Sequence, residues 1–405
     1  MMAASEASQT AARSLRLLFF VPYCVYPVSH GGASRVTNTI WNLTKRGHEV
    51  HVLSLVGNEA ERQAMLSLPN VASSDSYVLP PETSYRTGSA VPSVVRHTYR
   101  PSIGRRIDEL VGRYAIDILQ LEYTHSAAYI ASSHGIPTVL VEHDVAYRSA
   151  FRRALKQRSV LRTLRGLFDA TRLYRWELQN AKKADLALTA SEQEARILFR
   201  RGIAKVSSAV PNGVDVAALE PHGARSESRD ILFVGYFLHD PNVDALRYFV
   251  SSIWPQLNRD CQNLSVSIVG SNLPSELAVE ASACGFRCAG YVEDLPQELW
   301  SHRVFVAPIR YGAGTRIKLL EAAAAKCAIV STSLGAEGLG LRDGQDLLIA
   351  DTPADFAGAI ARLLGDRRLR AQLGASAHDS IRSRFDWPML AGELEGLYYE
   401  LLEET

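Results

Sequence analysis

Arg316, Lys318 and Glu321 lie within one short stretch, at the head of a segment with strong helix propensity from 316 to 326. Residues of these types, so spaced, could bind an anion. Both cations fall in the first turn of the predicted helix, where the dipole already presents positive charge. Each is unfavourable there by roughly 0.3–1 kcal/mol. A bound anion reverses that sign, because free N–H groups, a glycine loop and two cations together make a phosphate site. Gly312 and Gly314 supply the loop, where backbone can turn sharply and approach a ligand. Thr315 is the expected N-cap. Lys318 and Glu321 are three apart and share a face, offering a cation to phosphate and a carboxylate to sugar hydroxyls. Two solvated cations on an ordinary strand-to-helix crossover would leave the same trace.

A second group stands in the first half. Ile116–Tyr123 and Thr138–Val141 read as strands, with Glu122-Tyr123 and Glu142-His143-Asp144 at their C-terminal ends. In an open parallel sheet the ligand crevice lies beyond those ends. That makes His143 a candidate functional residue, and Glu122, Tyr123 and Asp144 candidates for the acceptor side. Asp144 as a cap on the following helix is the alternative. Gly31-Gly32 follows the first strand, Leu15–Val21, and precedes a helix pattern through Leu43 with Arg35 and Asn38 on its polar side; His48–Leu55 is the second strand. Strand, glycine loop, helix, strand is a mononucleotide-binding half. The adjacent glycines do not fit the dinucleotide pattern G-x-G-x-x-G.

These groups need parallel sheets to carry them, and strand and helix patterns alternate along the whole chain. Residues 57–100 show no single pattern, and Pro80-Pro81 with the Ser/Thr/Gly-rich 83–93 suggests a long surface loop. Residues 151–183 form a long basic helical region containing Arg152, Arg153, Lys156, Arg158, Arg162 and Arg165, with Leu155, Leu161, Leu164, Leu167 and Phe168 as an apolar side. Packing on the sheet is the favoured reading, with contact to anionic lipid as an addition. Asp185–Ala190 is another strand, followed by a Ser191/Glu194 capping box, and Val206–Asp215 ends the half in a turn. A polar stretch at 216–230 is the expected linker. The pattern then restarts with strands at Ile231–Val234, Leu264–Val269, Gly290–Val292, Val304–Ala307, Ala328–Val330 and Leu347–Ile349; helices near 353–364, 367–384 and 388–403 close the chain. The predicted organisation is a disordered tail (1–14), an N-terminal domain (15–215), the linker, a C-terminal domain (231–386) and a last helix (387–405) that returns to the N-terminal domain.

The 405 residues suffice for two or three domains with their own cores. An apolar share of 47% and a charged share of 21% are those of a soluble globular protein. A net charge of +1 gives no global field for nucleic acid. Cys24, Cys261, Cys284, Cys288 and Cys327 form no C-x-x-C pair, which suits small buried apolar residues in a reducing cytosol. Cys284 and Cys288 could share a helix face, without histidines at metal spacing nearby. No run approaches the ~20 apolar residues that span a bilayer. The expected location is cytoplasmic, with peripheral placement at the inner membrane face through the basic 151–175 region.

The segment R-Y-G-A-G-T-R-I-K-L-L-E-A-A-A-A-K-C-A-I-V-S-T-S-L-G-A-E-G-L resembles the donor-binding signature of the retaining glycosyltransferases of family 4, which have the GT-B fold. F-V-G-Y-F-L-H-D-P-N-V-D-A-L (233–246), V-P-N-G-V-D (210–215), the glycine pair and E-H-D (142–144) match in the same order. The resemblance runs from about 15 to 390 and implies two Rossmann-like doubly wound parallel-sheet domains facing a central cleft. It implies a nucleotide-sugar donor, with Gly235, Gly312 and Gly314 in its site. Arg316 and Lys318 would neutralise the diphosphate, Glu321 would bind ribose, and Val292 would meet the base through backbone. Gly31 and Gly32 would approach the diphosphate, and His143 would lie by the transferred sugar. Ala313 stands where the family often has a first glutamate, eight positions before Glu321.

The expected activity is therefore transfer of a sugar to a hydroxyl acceptor, whether glycan, lipid-linked or small-molecule, as in polysaccharide biosynthesis. Retention comes by leaving-group stabilisation, with no cofactor and no metal. The alternatives are a nucleotide-sugar epimerase or hydrolase on the same fold, or a non-catalytic nucleotide-sugar-binding partner.

Overall fold

A computed structural model describes residues 13–404 except 29–30, 80–91, 134, 144–145, 156–158, 191, 204–205, 208–210, 222, 224 and 313–315. The chain forms two compact units, Met1–Val210 with Ala391–Thr405, and Pro211–Leu390.

The first unit carries a parallel sheet of β1 (Arg16–Val21), β2 (Glu49–Val56), β3 (Ser73–Val78), β4 (Ile118–Glu122), β5 (Thr138–Glu142), β6 (Leu186–Thr189) and β7 (Val206–Ser207). Its spatial order is β3-β2-β1-β4-β5-β6-β7. The central strands are apolar runs because both faces are covered: Leu17 to Val21 are all essentially inaccessible. Phe19 pairs with Val52 on one side and Gln120 on the other. Chain direction across the sheet reverses between β1 and β4, so the loops after those two strands part and leave a crevice at the C-terminal edge.

The second unit repeats the plan with β8 (Arg229–Val234), β9 (Val266–Val269), β10 (Arg287–Gly290), β11 (His302–Ala307), β12 (Ala328–Ser331) and β13 (Leu348–Ile349), in the order β10-β9-β8-β11-β12-β13. Here the switch falls between β8 and β11. Gly235 leaves β8 and Gly270 leaves β9, and their backbones nearly touch. A Cβ on Gly270 would lie 1.7 Å from the Gly235 carbonyl oxygen, and the Gly270 φ is +137°. No other residue type fits there.

The C-terminal helix, Trp387–Glu403, contributes Leu394, Tyr398 and Leu401 to the core of the first unit. Glu395 fastens it there, accepting from His48 Nε2 at 2.8 Å and Arg46 Nε at 2.9 Å. His48 Nδ1 accepts the Leu15 N–H at 3.2 Å, which leaves Nε2 as the donor to Glu395.

Several sequence expectations need correction. Residues 57–100, which show no single pattern in sequence, include the helix Glu59–Leu66, the edge strand β3 and the helix Ser93–Thr98, while most of the loop expected at 80–93 lies outside the described residues. The β3 residues, Ser-Ser-Asp-Ser-Tyr-Val, are too polar to show as a strand, and only pairing with β2 makes them one. The pair Gly31-Gly32 does not lie in the loop but opens the helix Gly31–Lys45, and Arg35 on that helix is buried. Strand β10 ends at Gly290, so Val292 lies beyond it. Residues 216–230 hold the helix Val216–Leu219 and pack on the second unit, where Arg225 donates to the carbonyls of Leu299 and His302. The boundary between units falls upstream, between Val210 and Pro211. Cys284 follows the helix Ser275–Ala283 and Cys288 lies in β10, so they share no helix face. Of the five cysteines only Cys327 is buried, and Cys288 is exposed. Ser191 lies outside the described residues, and the capping box with it.

The basic region departs most. It is two helices, Ala146–Leu155 and Val160–Ala181, drawn together where Gly166 meets Ala154. Four residues of the apolar side expected to pack on the sheet face outward instead: Leu155, Leu161, Leu164 and Phe168 are 59–77% exposed, with Val160 beside them at 78%, while Leu167 is half-buried. The buried residues of the second helix, including Leu173 and Ala181, all lie from Ala170 onward.

Substituting Gly270 by Ala should destabilise the fold by several kcal/mol, since a left-handed φ costs ~1–2 kcal/mol and the clash with the Gly235 carbonyl adds ~1–3 kcal/mol. Gly285→Ala, at φ +80° with nothing within 4 Å, should show only the first cost. Urea midpoints of the two variants check the difference.

Candidate active site

In the second unit the chemistry gathers at the C-terminal edge of β8 and β11. The helix after β11 runs Ile317–Ala324, and its N-cap is Arg316, which makes no side-chain cap. Ala313, Gly314 and Thr315 lie outside the described residues. Both cations keep the dipole-opposed placement that their sequence positions suggest. Arg316 is 8% exposed. Burial lowers its pKa, and Glu337 offsets part of that.

Lys318 is held from several sides. Its Nζ donates to Asn242 Oδ1 at 2.6 Å and lies 5.6 Å from the centre of the Phe233 ring. Asn242 is buried, and its own amide donates to the Tyr236 carbonyl at 2.8 Å, so its oxygen must face the lysine. A neutral amide and a ring face orient an ammonium without neutralising it. Burial, reinforced by the Arg316 charge, therefore pushes Lys318 down to about 7. Burial pushes the Glu321 carboxyl up to about 7, against the pull of Lys318. The two groups interact, and each departs from its ordinary state mainly because its half-buried setting disfavours the charged form. His239 is also lowered, by burial first and then by Arg316 and Lys318.

The glycines give these groups room. A Cβ on Gly312 would sit 3.1 Å from Pro241 Cγ and 3.3 Å from the Arg316 guanidinium, and the Gly312 φ is +121°. A Cβ on Gly235 would press on Asn242 at 3.3 Å. The loop before Gly312 is tied down by Arg310, which donates to both oxygens of Asp244 at 3.0 and 2.6 Å and stacks over Tyr248. Val292 is partly buried against the core of this unit.

In the first unit, Glu122 at the end of β4 is 2% exposed. Its Oε2 is 2.6 Å from His143 Nε2, and its Oε1 accepts from Gln120 at 2.7 Å. The His143 ring stacks flat on Tyr123, 3.8 Å between centres and 1° between planes. Tyr123 has a φ of +68°, which turns its ring away from the strand direction. Tyr23, from the loop after β1, stands edge-on to it at 5.5 Å. Arg35 is buried against this group, its pKa lowered by burial while Glu122, Tyr123 and Tyr23 oppose the shift. His125, buried beside His143, is pushed down to about 4 and stays neutral.

The structure thus joins Gly235, Gly312, Arg316, Lys318 and Glu321 in one neighbourhood, and Glu122, Tyr123 and His143 in another. Asp144 lies outside the described residues. Gly31 and Gly32 begin the helix that carries Arg35. Sequence reasoning missed Asn242 and Arg35. Asn242 lies inside the 233–246 segment, which carries the family resemblance as a whole but assigns this residue no role. Arg35 lies on a helix side that read as merely polar.

Residues 30–218 match the family model described as Glycosyltransferase Family 4, and residues 228–366 match Glycosyl transferases group 1. A phosphatidyl-myo-inositol mannosyltransferase of Mycolicibacterium smegmatis is 25% identical over 371 residues, covering 87% of this chain and 89% of the relative. Its namesake in Mycobacterium tuberculosis is 24% identical over 406 residues, covering 95% and 96%. Among solved structures, the sucrose-phosphate synthase of Thermosynechococcus elongatus superposes with a TM-score of 0.70 at 17% identity, over 96% of this chain and all of that one. The Anabaena HepE protein in complex with UDP and glucose gives 0.67 at 13%, over 95% of this chain and all of that one. The fold is GT-B, and the protein is a sugar-transferring enzyme. The chain belongs to glycosyltransferase family 4.

A partly buried cation whose neighbouring carboxyl is itself pushed toward its neutral form costs stability, so Lys318→Met should stabilise the folded protein. At pH 6 the gain should be about 1–4 kcal/mol, as when apolar residues replace buried ions. The folded lysine titrates near 7 and the unfolded one near its ordinary 10.5. The penalty is therefore complete below pH 7 and fades as pH rises from 7 to 10.5, and the advantage of Met should shrink over that window. Unfolding curves across pH test this.

Proposed function

We propose that the protein moves a sugar from a nucleotide-sugar donor to a hydroxyl acceptor with retention. The observation that carries this reading is the pair of cations at the N-terminus of the Ile317–Ala324 helix, one of them lowered to about 7 by partial burial and by the charge of the other. As the bond from the anomeric carbon to the diphosphate oxygen breaks, its electron pair leaves with the nucleoside diphosphate. Arg316, Lys318 and the helix N–H groups meet the developing charge, and fixed donors in a low-dielectric site do this with little reorganisation. The acceptor oxygen bonds to the same face of the anomeric carbon, and its proton passes to the departing phosphate oxygen. Glu321 binds ribose hydroxyls, Val292 meets the base through backbone, and His143 is assigned to the transferred sugar. Counter-charge comes from side chains already in place, so the scheme calls for no divalent ion.

For the acceptor we favour a lipid-borne hydroxyl. The relatives named above are phosphatidyl-myo-inositol mannosyltransferases. Independently, the first unit presents five exposed apolar side chains in a segment, residues 145–168, that holds seven lysines and arginines and no carboxylate. Apolar side chains that insert, beside cations that meet phosphate, are the mark of an interfacial helix. Among the described residues no helix is long and apolar enough to cross a membrane. The enzyme then works peripherally, at the inner membrane face.

Lys318→Ala should lower turnover by ~10²-fold or more with the fold intact, as for loss of one preorganised donor. Transfer should continue at a comparable rate in excess EDTA. Wild-type turnover in the variant would reject the phosphate assignment. Abolition by chelator with rescue by Mg²⁺ would reject the metal-free scheme. Sugar release that ignores every acceptor would favour a hydrolase.

Vesicle co-sedimentation tests the surface. The protein should bind phosphatidylglycerol-containing vesicles, bind phosphatidylcholine alone weakly, and dissociate at high salt. Leu161→Ser with Leu164→Ser should weaken binding by roughly tenfold or more, through lost apolar burial, and leave thermal stability unchanged. Equal binding of variant and wild type would refute the assignment.

A further inference from the structure

The side chain that reaches His143 from below is the end of a longer chain of hydrogen bonds. Gln120 and Glu122 are two apart on β4 and point to the same sheet face. Both are 2% exposed. The Tyr398 hydroxyl, on the C-terminal helix, donates to Gln120 Oε1. Gln120 Nε2 donates to Glu122 Oε1 at 2.7 Å, and Glu122 Oε2 meets His143 Nε2 at 2.6 Å. Four side chains thus link the last helix of the chain to the ring at the C-terminal edge of the first sheet.

The direction of every bond follows from chemistry. An ionised carboxylate only accepts, so Gln120 must present its NH₂ and His143 an N–H to Glu122. The Gln120 oxygen then faces Tyr398, whose hydroxyl must donate. Turning the amide over would set oxygen against carboxylate. Tyr398 is completely buried and cannot exchange this partner for water. The helix bearing it is held by Glu395 to His48 and Arg46. The His143 plane is set separately, by the stack on Tyr123.

We propose that Tyr398, Gln120 and Glu122 are positioning residues that keep the proton of His143 on Nε2, so that the C-terminal helix sets the state of the ring. Glu122 is then a partner of His143 and not a ligand for the acceptor. The proposal rests on the reading that His143 serves the transferred sugar.

The test pairs ring nitrogen NMR with kinetics on the full chain. Wild-type His143 should show a protonated Nε2. Glu122→Gln offers a donor as well as an acceptor, so it should move part of the ring population to the Nδ1–H form. It should lower kcat by roughly 10–100-fold, with donor KM within about twofold, in line with the cost of misplacing a histidine proton or its partner. Tyr398→Phe keeps the buried ring and removes only the hydroxyl. It should give a smaller shift of the same kind and lower kcat by about 3–10-fold. Unchanged His143 resonances and kcat in both variants would overturn the proposal; if Glu122→Gln fails to fold, Tyr398→Phe decides alone. His143→Ala separates the two failures. Wild-type transfer in that variant, together with a shifted tautomer in Glu122→Gln, removes the role of His143 and leaves the relay standing. Loss of transfer in His143→Ala with no tautomer shift in the other two removes the relay alone.

Discussion

An ammonium partly withdrawn from water at the positive end of a helix is opposed twice, by lost hydration and by the dipole. Lys318 accepts both penalties, and the surrounding residues are arranged so that it neither escapes nor is neutralised. Asn242 offers an oxygen without a charge, Phe233 offers a ring face, and Arg316 adds repulsion where a stabilised site would have placed an acid. The local carboxylate, Glu321, is itself pushed toward its neutral form by the same burial. What is missing from this balance is an anion, the place proposed above for the diphosphate of the donor.

Close packing of backbone makes that arrangement possible. In a doubly wound sheet all strand ends of one sense meet at one edge, and the reversal between β8 and β11 parts two loops there. Gly235 and Gly270 let the β8 and β9 exits pass within contact distance. Gly312 lets the loop before the helix come down on Arg316. Side chains in these places would push apart the elements that hold Asn242 against Lys318. The cost falls on the backbone, in left-handed conformations that only glycine adopts cheaply.

The first unit uses the opposite strategy. Its switch point is filled by a paired network, in which Glu122, His143, Gln120 and Tyr398 satisfy one another, Tyr123 stacks on the His143 ring and Tyr23 stands edge-on to Tyr123. Buried polar groups of this kind hold one geometry, because any rearrangement leaves a donor or acceptor unmet. The same unit leaves apolar surface open elsewhere, at the turn between Ala146–Leu155 and Val160–Ala181, where burial would have gained stability. Paired polar groups are concentrated at the sheet edge and exposed apolar side chains at the helical hairpin.

The sequence by itself determined the alternation of strands and helices, hence two parallel sheets, because apolar runs of strand length and amphipathic runs of helix length are local properties. It also placed Arg316, Lys318 and Glu321 on one helix start, since a dipole-opposed pair of cations is visible in spacing alone. Tertiary structure decided which residues face these groups. Asn242 reaches Lys318 only because β8 and β11 are neighbours, and no local pattern joins positions 242 and 318. Tyr398 reaches Gln120 across 278 residues of chain. The edge strand β3 exists through its hydrogen bonds to β2 and not through its own side chains. Whether the leucines near 161 are core or surface depended on what stands opposite them. Amphipathic spacing reports that a helix has two faces; only the assembled fold shows which one is covered.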